Sequence, residues 1–315
     1  MTTVAVTGAS GFCGSRIAAL AAERGLEVVC VGRRPGPVGR HLPWDARHGE
    51  PDLGDADFVV HCAAAVGDPV PGSPAEAGMR AVNVGGTTRL LRAAGDRPVV
   101  WMSSASVYAP PVGDRPITED HPVRGQLNAY GRTKAEGEAR ALASGAVVLR
   151  PRAVYGPGDP HLVPRLLSRV RRGRLLLPGG DVLLSLTSVD NLADAALRAV
   201  GWPPGAYNIA DPVPYPRDRT IRAVLTAHGT PAGIGRLPVS VARSVAGAAE
   251  RVARLRPGRE PWLTRYAVEQ LARGVVLDVT RAERRGWRAP HTLADHLAAV
   301  ASGRGGALSP RPDRS

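Results

Sequence analysis

Along the first 150 or so residues, short apolar runs alternate with longer stretches in which apolar positions recur every three or four residues. The runs are TVAVTG (2–7), EVVCVG (27–32), DFVVHCA (57–63), PVVWMSS (98–104) and AVVLRP (146–151). They are rich in valine and mostly lack polar alternation, as strands covered on both faces should be. Helical patterns lie between them, near 12–24, 75–95 and 126–144. Strand–helix alternation of this kind predicts an α/β fold built on a doubly wound parallel sheet.

After Gly156 the pattern changes. Prolines and glycines interrupt the chain at YGPGDP (155–160), LLPGGD (176–181), GWPPG (201–205) and DPVPYP (211–216). Helical periodicity returns near 161–173, 190–200, 217–229, 238–255 and 262–273, joined by extended pieces such as AYNIA (206–210). These features predict two domains. Residues 1–155 together with 182–210 form the sheet domain, and residues 156–181 with 211–301 form a smaller, mostly helical one. The tail 302–315, SGRGGALSPRPDRS, is expected to be disordered. The helix over 238–255 is amphipathic and basic. It is read as core-facing on one side, with a lid or membrane-surface helix as the alternative.

Composition narrows the function. No apolar run approaches the roughly 20 residues that span a bilayer, and the N-terminus MTTVAVTGAS has no basic flank. A cytoplasmic protein without stable membrane insertion is expected. Cys13, Cys30 and Cys62 show no CxxC spacing and read as small buried side chains in a reducing compartment. No His, Cys or carboxylate cluster has metal-ligand spacing, so no metal is expected. The net charge of +13 raises the question of nucleic acid, but the arginines are spread along the chain and aromatics are only 4% of residues. That is too few to interleave with arginine as a base-stacking surface, and no nucleic-acid partner is expected.

Of the 41 basic side chains only Lys134 is a lysine. Where arginine serves every general need for positive charge, a retained lysine marks a position that wants a compact ammonium on a slim stem. It lies four residues after Tyr130 in NAYGRTK, so both project from one helix face. A free phenol has a pKa of about 10, and an ammonium beside it is expected to stabilise the phenolate and lower that value.

The segment VAVTGASGFCGSRIAAL (4–20) reads strand, turn, helix, with Gly8, Gly11 and Gly14 spaced GxxGxxG. Gly8 permits the turn off the strand, Gly11 lets backbone N–H groups approach a pyrophosphate, and Gly14 lets the helix pack close. The positive end of the helix dipole then faces the phosphates. Gly8, Ser10, Gly11, Phe12, Cys13 and Gly14 are therefore candidate contacts for a dinucleotide on a Rossmann-type sheet. The second strand ends VGRRPG, where an NAD site usually places an acid. Arg33 and Arg34 stand there instead and suit a 2′-phosphate, which favours NADP over NAD. Asp45 in PWDAR has two readings, the adenine edge or a turn.

In their order and intervals, TGASGFCG (7–14), VVHCAAA (59–65), NVGGT (83–87), SSASVY (103–108), YGRTK (130–134), LRPRAVYGPGD (149–159) and LTSVDNLADA (186–195) resemble an extended short-chain dehydrogenase/reductase of the NAD-dependent epimerase/dehydratase type. The likeness covers nearly the whole chain, and 262–300 is similar to the 3β-hydroxysteroid dehydrogenase-like branch. The resemblance implies a catalytic set of Ser104, Tyr130 and Lys134, with Lys134 also on the nicotinamide ribose. Ser103 competes with Ser104, and Ser106 does so more weakly. Asn83 matches the family's helix asparagine, which supports the active-site helix or a water relay. The alternative is a helix-capping amide. Ala63, Ala64 and Pro151 are implied beside the cofactor, and His61 is read as packing. Ala105 and Ser106 stand where sugar-nucleotide 4,6-dehydratases carry an Asp–Glu pair, so dehydration is excluded.

The resemblance therefore implies interconversion of a secondary alcohol and a ketone on a small lipid-like or secondary-metabolite substrate, by a homodimer. The alternatives are a nucleotide-sugar epimerase or reductase, with Arg165, Arg169 and Arg217 available for a diphosphate, and a non-catalytic NADP-sensing regulator.

Overall fold

The five valine-rich runs meet in one sheet. The structure, a computed structural model, describes residues 1–110, 115–255 and 261–303. The main strands are β1 (Thr3–Thr7), β2 (Glu27–Gly32), β3 (Arg40–Pro43), β4 (Phe58–His61), β5 (Val99–Met102) and β6 (Val147–Pro151). Further strands follow: β7 (Val154–Tyr155), β8 (Arg174–Pro178), β9 (Leu183–Leu184), β10 (Thr187–Ser188), β11 (Gly205–Ile209), β12 (Tyr215–Pro216) and β13 (Gly233–Leu237). The helices are α1 (Phe12–Glu23), α2 (Pro74–Arg80), α3 (Thr87–Ala94), α4 (Ala129–Ala143), α5 (Leu162–Leu167), α6 (Val189–Arg198), α7 (Arg217–Ala227), α8 (Val239–Arg254), α9 (Arg265–Ala272), α10 (Thr280–Glu283) and α11 (Leu293–Ala301).

Among the described residues the central sheet has seven strands in the order β11-β6-β5-β4-β1-β2-β3, all paired in parallel. Val4, Val6, Ile17, Ala18 and Leu192 fill one face under α1 and α6. Ala5, Val59, Leu90, Trp101 and Ala141 fill the other, under α3 and α4. Full burial of such side chains contributes about 1.5–3 kcal/mol each, which is why these strands carry no polar alternation. The chain runs outward from β1 in both directions, so the sheet has a switch point between β1 and β4. Ligands of doubly wound sheets bind beyond the carboxyl ends of the strands at such a point.

Three departures from the sequence pattern have local causes. β3 is a half-exposed edge strand, RHLP, with no apolar run to announce it. The helical stretch expected over 75–95 is broken by a π-helical turn, Ala81–Gly86. The helix expected over 161–173 stops at Leu167, where Arg169 and Val170 bond back three residues instead of four, and further on Arg172 and Gly173 both take positive φ, 51° and 68°. They close a turn in which Arg171 and Arg174 exchange backbone hydrogen bonds, leading into β8. Of the expected tail, only residues up to 303 are described. No described helix is long and apolar enough to cross a membrane.

Candidate active site

The glycine loop sits at the switch point. Gly8 has φ +68°, and a Cβ there would lie 2.8 Å from the backbone N and Cα of Ala63. A Cβ on Gly14 would lie 2.3 Å from the Gly8 carbonyl oxygen. Both glycines therefore allow β1, α1 and the β4 loop to close on one another. At Gly11 the one close neighbour among the described residues, beyond the adjoining chain, is that same oxygen, at 3.2 Å, so this part of the loop is otherwise open. No side chain caps α1, so the N–H groups of its first turn keep their hydrogen-bonding capacity for a ligand. This cradle fits a dinucleotide pyrophosphate. Ser10, Phe12 and Cys13 lie on its rim, partly exposed. Across from it, Ala63 donates its N–H to the Thr7 hydroxyl at 3.2 Å, with Ala64 next in the loop.

Ser103 and Ser104 follow β5, and only one of them turns toward the cleft. Ser103 is buried and donates to Glu138 Oε2 at 2.5 Å. Ser104 Oγ lies 2.5 Å from Ser106 Oγ and interacts with the Tyr130 phenol. Asn128 caps α4 by accepting from the Gly131 N–H at 2.9 Å, which sets Tyr130 in the first turn. Burial pushes the Tyr130 phenol well above its ordinary range, with Tyr266 and Cys13 adding to the shift and Ser104 opposing it.

Lys134 does not act on that phenol directly. Its ammonium donates to the Met102 carbonyl at 2.5 Å and lies 3.7 Å from the centre of the Trp101 ring. Burial brings Lys134 down to about 7, partly offset by Cys62 and Glu138. The expected lowering of the phenol by the ammonium is thus absent from this geometry. The two side chains share a helix face, but Lys134 reaches past Tyr130 to the end of β5.

Asn83, inside the π-helical turn, accepts from the Ala65 N–H at 2.7 Å and donates to the Ala65 carbonyl at 3.0 Å. It also donates to Thr133 Oγ1 at 3.0 Å. Through these bonds it fastens the loop after β4 to α4. His61 is fully buried, lies near the Trp44 and Trp101 rings and is paired with Thr7 Oγ1 at 2.7 Å. Burial depresses it to about 3, with Lys134 adding to the effect, so it is neutral.

Several residues of the site have no clear signal in the chain. Glu138 forms a buried ion pair with Arg150 at 2.5 Å while accepting from Ser103, so one carboxylate ties α4, β5 and β6 together. Tyr266 on α9 interacts with Ser106. Arg152 follows Pro151 and donates to Gln270 Oε1 at 2.5 Å. Ser106, Arg152, Tyr266 and Gln270 line a small cavity with apolar Ile117 and Val275. The motif RPRAVYGPGD drew attention to this loop, but α9 reaches the cleft only through tertiary packing.

Arg33 and Arg34 lie exposed just past β2, and neither has an ion-pair partner among the described residues. Asp45 sits in a turn, where its carboxylate accepts from Arg47 Nη2 at 2.6 Å and from the Arg47 N–H at 3.0 Å. That pairing holds it well below the usual carboxylate range. Of the arginines considered for a diphosphate, Arg217 is fully buried and paired with Asp218 at 2.8 Å.

A doubly wound sheet with a glycine cradle at its switch point defines the class, an NAD(P)-dependent oxidoreductase of the extended short-chain dehydrogenase/reductase type. The chain belongs to the NAD dependent epimerase/dehydratase family, which matches it over residues 4–210. It is 34% identical over 304 residues to the 2-alkyl-3-oxoalkanoate reductase of Stenotrophomonas maltophilia, covering 85% of this chain and 88% of that one. It is 28% identical over 302 residues to the 4-hydroxy-2-methyl-3-oxo-4-farnesyl-3,4-dihydroquinoline-1-oxide ketoreductase of Stigmatella aurantiaca, covering 89% of each. Among solved structures, MoeE5 in complex with UDP-glucuronic acid and NAD matches with a TM-score of 0.73 at 26% identity, over 94% of this chain and 96% of that one.

Proposed function

We propose that this protein interconverts a ketone and a secondary alcohol on a lipid-like substrate with NADP(H), working mainly as a reductase. The observation that carries this reading is the Ser104 hydroxyl beside the Tyr130 phenol, with Cys13 of the glycine loop close enough to act on that phenol. The two relatives named as reductases support a ketone as the group acted on.

When bound, the dinucleotide supplies the hydride equivalent. Everything else falls to the chain. The Ser104 hydroxyl donates a hydrogen bond to the substrate carbonyl oxygen and holds it by Tyr130. The Tyr130 phenol, kept protonated by burial, delivers its proton to that oxygen as it becomes an alcohol. Lys134 braces the end of β5 through Met102, and, brought down to about 7 by burial, it can gain or lose a proton near neutral pH beneath the site. Apolar Ile117, Val275 and Leu127 line the adjoining cavity and suit alkyl substituents. Arg33 and Arg34 offer exposed guanidinium groups to a 2′-phosphate, and Asp45 is occupied by Arg47. Residues 156–181 and 211–301, apart from the stretch around Ala282 and Trp287 that packs into the sheet core, are proposed as the substrate half, and a cytoplasmic homodimer as the working state.

The likeness to MoeE5 favours a second reading, nucleotide-sugar chemistry. It must do without Arg217, which is consumed by Asp218. The test follows nicotinamide absorbance across hydroxysteroids, polyketide ketones and nucleotide sugars. Tyr130→Phe is expected to lower kcat on the turned-over ketone by about 10²–10⁴-fold. Unchanged turnover in that variant removes Tyr130 as proton donor, and turnover of nucleotide sugars alone selects the second reading. Arg33→Ala is expected to weaken NADP binding by about 10-fold or more while leaving NAD binding unchanged. Equal NADP affinity in both proteins removes the arginine argument.

A further inference from the structure

A reductase of this kind takes one proton from Tyr130 at every turnover, and that proton must be replaced from solvent. Lys134 does not act on the Tyr130 phenol directly. Its ammonium is held by the Met102 carbonyl at 2.5 Å and by the Trp101 ring at 3.7 Å. A row of hydroxyl groups leads the other way. Ser104 interacts with the Tyr130 phenol. Its Oγ lies 2.5 Å from Ser106 Oγ and accepts from the Ser106 N–H at 3.2 Å, so a single turn, Ala105–Val107, fixes both serines. Ser106 in turn interacts with the Tyr266 phenol on α9. Each of these hydroxyls can donate one hydrogen bond while accepting another, as a proton relay requires.

The far end of the row carries a matching charge. Arg152 is 8% exposed. Among the described residues its guanidinium bonds to Gln270, a neutral side chain, through Nη1 at 2.5 Å and Nη2 at 3.5 Å, and its Nε has no hydrogen-bond partner. Burial brings Arg152 down to about 10, opposed by the Tyr266 phenol, so it stays charged at neutral pH. A buried cation without an acid is costly, but beside a phenol it favours the phenolate. Burial raises the Tyr266 phenol, and Arg152 is the largest influence opposing that rise. Ionisation of Tyr266 also opposes ionisation of Tyr130, so the two phenols give up a proton in turn. Ser106, Arg152 and Tyr266 line one cavity, whose enclosed part holds about 30 Å³. That is room for one or two waters, at about 10–15 Å³ each.

We propose that Ser106 and Tyr266 return a proton to Tyr130 after each reduction, with Arg152 holding the Tyr266 phenolate until solvent reprotonates it. This rests on the reading of the cleft as a ketone-reducing site. Tyr130 gives its proton to the substrate oxygen. In one concerted shift Ser104 then protonates the Tyr130 phenolate, Ser106 protonates Ser104, and Tyr266 protonates Ser106. A water in the cavity passes a solvent proton to Tyr266. Every O–H bond broken along the row is formed again, one proton enters for each alcohol made, and no electrons move through it.

The test mixes the full chain rapidly with NADPH and a ketone that wild type reduces, and follows nicotinamide absorbance. In Tyr266→Phe, Tyr130 starts protonated. The first turnover per site is therefore expected at the wild-type rate, and later ones about tenfold more slowly. The slow phase should fall further, by about twofold, in D₂O, as a proton-transfer step does. Ser106→Ala should repeat this pattern, and Arg152→Gln should show it with a smaller drop. Unchanged steady turnover in any of the three variants overturns the proposal. So does a first turnover slowed as much as the later ones, which marks a merely structural role, or a slow phase indifferent to D₂O, which marks product release. Those results leave the reductase reading standing. If wild type reduces no ketone, that reading falls and the relay falls with it.

Discussion

Arg150 and Arg152 lie two residues apart at the end of β6 and are both buried, but the regions on either side of that strand use them in opposite ways. On the α4 side, Arg150 spends its donors on Glu138, at 2.5 and 3.1 Å, on the Tyr108 hydroxyl at 2.9 Å and on the Glu119 carbonyl at 3.0 Å. On the cleft side, the Arg152 guanidinium has Gln270 as its hydrogen-bond partner among the described residues. A buried cation that carries its own acid belongs to the scaffold. One that lacks an acid has no internal ion pair to offset the cost of its burial.

The largest effect is expected where the scaffold pair is broken. Glu138→Ala leaves Arg150 buried without a counterion and removes the acceptor of Ser103. Stability should fall by about 3–5 kcal/mol, read by urea denaturation. A smaller loss would mean that Arg150 is satisfied by Tyr108 and Glu119 without it. Next comes His61, a buried base under the cradle. Its folded pKa of about 3 lies below its unfolded value, about 6.5. The unfolded chain therefore takes up a proton that the folded chain refuses, and stability declines as pH falls from about 6.5 toward 3. Between pH 7 and 5 the loss should be about 2 kcal/mol, and His61→Gln should flatten that slope. The smallest effect is expected at Arg152→Met, whose stability should change by about 1 kcal/mol or less, or rise, since an unpaired buried charge is removed. A loss as large as that of Glu138→Ala would erase the distinction between the two arginines.

Much of the fold is visible in the chain because doubly covered strands must be apolar throughout, and Gly8 and Gly14 are fixed by contacts of 2.3–2.8 Å that no side chain could survive. Lys134 stood out through its isolation in an arginine-rich chain, and its burial shows that this position needs a slim stem. Its role was less visible. The helical spacing of four places it on the Tyr130 face, but only the packing against Trp101 and Met102 shows where the ammonium points. The choice between Ser103 and Ser104 depends on Glu138, 35 residues from Ser103. Tyr266 and Gln270 enter the cleft because α9 packs there, and nothing in YAVEQLAR sets them apart from any amphipathic helix. The edge strand β3 and the π-helical turn are short, and no hydrophobic period marks them.

Trp287 lies in the same core as Val4 and Ile17, 1% exposed, and its indole N–H reaches Asp194 on α6 at 2.9 Å. The sheet also needs β11, more than fifty residues after β6, to cover its edge. During synthesis the sheet domain therefore stays unfinished long after its first six strands have left the ribosome, until Trp287 has followed them.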